Sequence, residues 1–164
     1  RWDLRGFARD GGCVLGICNG CQALVRDGVF GPALTVTDNA HSRFVDRWVG
    51  LRVHASTGWL EGLRELALPI RHREGRFLGV ADTVAGGAAD VALSYDGDPN
   101  GSEAGVAGWS AEQGRLLALM PHPEAALWAC QQPGWTEVLG DPRAQGQGWR
   151  LFDNLARMMG DQRS

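Results

Sequence analysis

The segment Cys13-Val14-Leu15-Gly16-Ile17-Cys18-Asn19-Gly20-Cys21-Gln22 constrains the backbone more than any other stretch of the chain. Its apolar start reads as a buried strand, its middle as a tight turn with Cys18 at the apex, and its end as the opening of a helix. Gly16 and Gly20 bracket the turn, where two backbones are expected to come too close for side chains. The helix would aim its free N–H groups and positive dipole end at the sulfur, the setting a thiol nucleophile needs.

A nucleophilic cysteine needs a base, and the base needs an orienting group. The chain has 4 histidines. His122 has the right surroundings, because the continuous apolar run Leu116 to Met120 reads as a strand buried on both faces and ends in Pro121-His122-Pro123-Glu124. The two prolines stop the strand and stiffen the turn, and Glu124 is in reach of the second ring nitrogen of His122. In open parallel α/β sheets ligands bind beyond the carboxyl ends of strands, where Cys18 and His122 would both sit. Three blander readings compete. Cys18 could be a small core residue. Cys18 and Cys21 form a C-x-x-C pair of the redox type, although that reading leaves His122 and Glu124 without a role. For a zinc site, Cys13 and Cys130 lack ligand spacing to the other cysteines.

These residues resemble the class I glutamine amidotransferases, and among them the glutaminase subunits or domains of phosphoribosylformylglycinamidine synthases. The nucleophile turn Gly16 to Gln22 is similar to that family's, as are Asn39-Ala40-His41-Ser42-Arg43-Phe44 and Arg47 to Val53. Leu68 to Phe77 resembles its His-Gly-Glu-Gly-Arg-Phe segment, Asp98-Pro99-Asn100-Gly101-Ser102 its Asn-Pro-Asn-Gly-Ser loop, and Gly114 to Glu124 its His-Pro-Glu strand. The resemblance covers nearly the whole chain. It implies an α/β, doubly wound, flavodoxin-like fold with a mixed sheet. It implies hydrolysis of glutamine to glutamate and ammonia, with the ammonia passed to an ATP-dependent synthase of purine biosynthesis. Carried over by motif, Cys18 is the nucleophile, His122 the proton carrier, Glu124 its orienting partner, and the Asn19 backbone N–H an oxyanion donor. Gln22, His72 and Glu74 would bind substrate. No cofactor or metal is implied for this domain; ATP and Mg belong to the implied partner synthase, fused or separate. Two alternatives stay open: a glutaminase serving a different acceptor, or a catalytically silent docking fragment.

The sequence departs from the family at three places. It begins Arg1-Trp2-Asp3 without an initiator Met, and relatives carry upstream strands, helices and a glycine loop that supplies a second oxyanion N–H. Gly11-Gly12 is not that loop. The expectation is an N-terminally incomplete domain, and one missing oxyanion donor typically costs about 10²–10³ in turnover. Arg71 and Arg73 stand where relatives have small residues, so a side chain at 73 is expected to crowd the backbone approach to glutamine. Ala125 replaces a common Arg.

Length and composition fit one domain over residues 1–164. Charge is balanced, with 16 Lys and Arg against 19 Asp and Glu, which excludes a nucleic-acid footprint. No apolar run approaches the roughly 18 residues of a membrane span, and the N-terminus is no signal peptide. Four cysteines in such a chain do not make a disulfide scaffold, which favours a reducing cytoplasm. Short strands are expected at Trp48–Val53, Phe77–Val80, Val91–Tyr95 and Val106–Trp109. Glu61 to Leu66 is at most a short helix, and Ala85 to Ala88 a loop between two strands. Pro133 to Gly148 reads as a surface loop. After it, Trp149, Phe152, Leu155, Ala156 and Met159 mark one face of an amphipathic helix.

Overall fold

The computed structural model describes residues 2–138 and 140–160. In chain order these form α1 (Leu4–Arg9), β1 (Val14–Ile17), α2 (Asn19–Arg26), β2 (Thr35–Asp38), β3 (Val45–Val53), β4 (Glu65–His72) and β5 (Glu74–Leu78). Then come α3 (Val80–Ala85), β6 (Asp90–Tyr95), β7 (Val106–Ala111), β8 (Leu116–Leu119), α4 (Trp135–Val138) and α5 (Trp149–Gly160). Six strands make one sheet in the order β1-β8-β7-β6-β3-β4, and β2 and β5 make a separate ribbon. The sheet is mixed: β1 and β8 run parallel, and the other neighbours are antiparallel.

The apolar run of β8 has a direct structural cause. Leu116 and Ala118 enter the core on one face of the sheet with α2, Phe30 and Trp109. Leu117 and Leu119 enter a second core on the other face with Trp59, Leu68, Ile70 and Leu151. A strand covered on both faces has no polar side to show. Phe77 and Trp109 meet edge to face with ring centroids 6.3 Å apart, which locks the β2–β5 ribbon onto the first core. The parallel register Ile17↔Leu119 makes β1 and β8 end side by side, so the residues after each emerge at one edge.

Several local details correct the expectations or go beyond them. β4 continues through Pro69, which pairs with Trp48 at the end of the strand order. A proline lacks the N–H a central strand would require, and an outer strand can spare it. Glu61 to Leu66 is not a helix: a 3₁₀ turn at Gly58–Leu60 precedes it and β4 begins at Glu65. Val80 opens α3 rather than ending a strand, so the Ala85 to Ala88 loop joins a helix to β6. The stretch 133–148 contains α4, with position 139 outside the described residues.

The buried face of α5 is also rotated from the expected one. Leu151 and Asn154 are its buried residues, with Phe152, Leu155 and Met158 packed against the second core, while Met159 is 54% exposed. The phase is set by Asn154, whose amide donates to the Trp59 and Glu61 carbonyls at 3.1 and 2.9 Å. An apolar-only pattern counts that position as outward facing. Asn154→Ala is expected to cost about 1–3 kcal/mol by leaving buried carbonyls unpaired. The check is a lower urea midpoint with unchanged slope; an unchanged midpoint would show that the two bonds add nothing.

Candidate active site

Cys18 sits between β1 and α2 as the N-cap of the helix, with φ 49° and ψ −102°. That backbone is costly for a residue with a side chain, on the order of 1–3 kcal/mol, and such strain concentrates where a side chain must be presented. Two contacts maintain it: the Cys18 N–H donates to the Leu119 carbonyl at 2.8 Å, and the Gln22 N–H to the Cys18 carbonyl at 3.0 Å. Gly16 is required, since a Cβ there would lie 2.5 Å from Leu24 and 2.9 Å from the Gly20 backbone. Gly20 itself does not share that constraint: a Cβ there meets nothing within 4 Å. The expected two-sided bracket is therefore one-sided. No side chain caps α2, so the Asn19 N–H opens the helix at the thiol without a capping partner. The Cys18 Sγ lies 3.6 Å from the Arg71 carbonyl.

His122 leaves β8 two residues past the turn at Met120, and its N–H donates to the Pro69 carbonyl at 2.8 Å. Pro123 then starts a 3₁₀ turn, which brings Glu124 back under the ring. The Glu124 Oε1 is 2.6 Å from His122 Nδ1. His122 Nε2 makes no hydrogen bond of good geometry. Even so, its interaction with the Cys18 side chain is the largest influence holding the His122 pKa above the usual histidine range, with Glu124 adding to it against burial. The ring and the Cys18 side chain thus influence each other without a well-formed hydrogen bond between them. Cys18, His122 and Glu124 come together at one strand edge.

Cys21, one turn on, is fully buried in the first core, and burial pushes its thiol pKa far up, with a smaller push from Cys18. Gln22 Nε2 donates to the Glu74 carbonyl at 2.6 Å, and the Glu74 carboxylate pairs with Arg26. Gln22 and Glu74 therefore clamp α2 to the start of β5. His72 is 3% exposed, with Nδ1 3.1 Å from Asn39 Oδ1. The Asp98–Ser102 loop fastens the same region: Asn100 donates to the Gly75 carbonyl at 2.8 Å, and the Ser102 hydroxyl accepts from the Phe77 N–H at 3.1 Å. Arg71 and Arg73 turn their exposed side chains to Asp46 and Asp38, at 3.3 and 3.5 Å. Among the described residues no group of three His, Cys, Asp or Glu could hold a metal ion.

Asn39 was not legible as a site residue. It is 1% exposed and contacts His72 from another loop, and nothing in its own neighbourhood signals this.

The arrangement can attack a carbonyl carbon and move a proton to a leaving group. Residues 3–159 match the family of CobB/CobQ-like glutamine amidotransferase domains. The chain belongs to that family. It is 34% identical over 169 residues to the phosphoribosylformylglycinamidine synthase subunit PurQ of Dehalococcoides mccartyi, covering 92% of this chain and 65% of the relative. It is 45% identical over 129 residues to the PurQ subunit of Parasynechococcus marenigrum, covering 75% of this chain and 58% of that one. The structure of PurLQS from Thermotoga maritima superposes with a TM-score of 0.71 at 27% identity, over 96% of this chain and 66% of that one. The chain thus spans less than two thirds of the length of these curated relatives.

Proposed function

We propose that this amidotransferase-family chain is the glutaminase component of a phosphoribosylformylglycinamidine synthase. The observation that carries the reading is the strained Cys18 N-cap facing a His122–Glu124 pair. Its likeness to PurQ subunits supplies the acceptor side of the reaction. Cys18 passes its proton to His122 and attacks the glutamine carboxamide carbon. The oxyanion that forms is met by the Asn19 N–H at the uncapped start of α2. His122 returns the proton to the departing nitrogen, releasing ammonia and leaving a thioester. His122 then takes a proton from water, the hydroxide displaces the sulfur, and glutamate leaves. Glu124 keeps the ring oriented and stabilises its charged form throughout. Gln22, His72 and Glu74 shape the wall that receives the amino-acid end of the substrate. The ammonia goes to an ATP-dependent synthase, in one domain assembly with this chain or as a separate subunit, in a cytoplasmic setting consistent with four free cysteines.

The test is glutamine-dependent amidine formation by the chain combined with the synthase from the same source. Formation with ammonium salts but not with glutamine contradicts the reading. Cys21→Ala separates it from a dithiol enzyme. Because Cys21 lies in the core, activity is expected to stay within about threefold of the parent, with a stability loss of about 1 kcal/mol. A dithiol mechanism would lose activity with either cysteine.

A further inference from the structure

We infer that Asn39 and His72 form a positioning pair that presents a single buried lone pair, on His72 Nε2, to an N–H donor of the bound amino-acid amide. The inference rests on the glutaminase reading and adds a residue and a tautomer to it. Asn39 and His72 are 1% and 3% exposed. The Asn39 amide nitrogen donates to the Arg43 carbonyl at 2.9 Å and to the His72 carbonyl at 3.0 Å. Turning the amide over would aim its oxygen at two carbonyls, so the orientation is settled by its neighbours. The Asn39 oxygen can only accept, and it faces His72 Nδ1 at 3.1 Å. Nδ1 therefore carries the hydrogen, and Nε2 of the neutral ring is an acceptor. No donor reaches it, although it is buried.

The ring stays neutral because burial, and then the nearby His122 and His41, push its pKa down to about 4. Gly75 is bare backbone against the Nδ1–Cε1 edge, which a side chain would overlap. The ring lies near the candidate site, close enough for His122 to push its pKa down. On β4 the Pro69 carbonyl holds the His122 N–H, the Arg71 carbonyl meets the Cys18 sulfur, and His72 is the next residue. A buried acceptor without a donor is unfavourable, and a substrate N–H entering beside Cys18 relieves it.

The experiment is nitrogen NMR of the ¹⁵N-histidine-labelled full chain carrying Cys18→Ala, so that glutamine is bound and not consumed. The free chain is expected to hold His72 in the Nδ1–H tautomer, and Asn39→Leu to lose it. Saturating L-glutamine is expected to shift the Nε2 resonance in the direction of an accepted hydrogen bond. If L-glutamate gives the same shift the donor is the α-ammonium; if only glutamine does, it is the carboxamide. In the parent chain with its synthase, Asn39→Leu is expected to raise KM for glutamine about tenfold with a smaller change in kcat. An Nε2–H tautomer in the free chain overturns the inference, as does an unmoved Nε2 while other resonances report saturation. Absence of any glutamine binding would instead overturn the glutaminase reading together with it.

Discussion

Alanine at position 18 is expected to lower glutamine-dependent ammonia release by at least about 10³-fold while leaving the fold intact. The expected loss is large because no other thiol can substitute: Cys21 is buried in the core, Cys13 lies ahead of β1, and Cys130 lies in a 3₁₀ turn after β8. Stability should barely change. Alanine is no worse than cysteine at φ 49°, and the sulfur gives up only a 3.6 Å approach to the Arg71 carbonyl. The measurements are ammonia release with the synthase present and a denaturant midpoint on the same preparation. Retained ammonia release in a folded protein would remove Cys18 from the chemistry.

Glu124→Gln is expected to lower kcat/KM by about 10²–10⁴. A glutamine amide can present its NH₂ to Nδ1 and favour the wrong tautomer, and it withdraws the charge that stabilises imidazolium. The sign of the pH effect follows from the raised pKa of His122, to which Cys18 contributes most and Glu124 next among the favourable influences. A raised folded-state pKa means that the protonated ring is favoured by folding. Its contribution to stability is therefore full below the ordinary histidine value and is lost as pH rises through the folded one. Removing the carboxylate moves the folded value down. The acid limb of the pH–rate profile, where His122 must give up its proton before it can take that of Cys18, should shift to lower pH in the variant. Since Glu124 is 46% exposed on its side chain, the stability change is expected to be small beside the kinetic one. A variant with parental kcat/KM and an unmoved acid limb would show that Glu124 does not act through His122.

How much of this was legible in the sequence depended on how local each cause was. The Cys18 turn was readable because strand, turn and helix start are contiguous, and His122 and Glu124 because prolines confine both to one short turn. The mixed sheet was implied by the resemblance and by the run of short strands. What could not be read were contacts between distant segments. Gly20 looked like a packing glycine, yet the space beside it is open. The face of α5 was misphased because Asn154 is buried for its hydrogen bonds and not for its apolarity. β4 is not among the strands the pattern marks, and it carries Pro69, which only an outer strand tolerates. His72 entered as a substrate residue through resemblance alone; its tautomer depends on Asn39, which arrives from a different loop.

The central claim is that Cys18, among four cysteines, is the nucleophile for glutamine. A diazoketone analogue of glutamine, incubated with the full chain and its synthase and followed by peptide mass analysis, tests it most directly. One adduct is expected, on the peptide carrying Cys18, suppressed by excess glutamine. No adduct, or an adduct on Cys13, Cys21 or Cys130 that glutamine does not suppress, would contradict it.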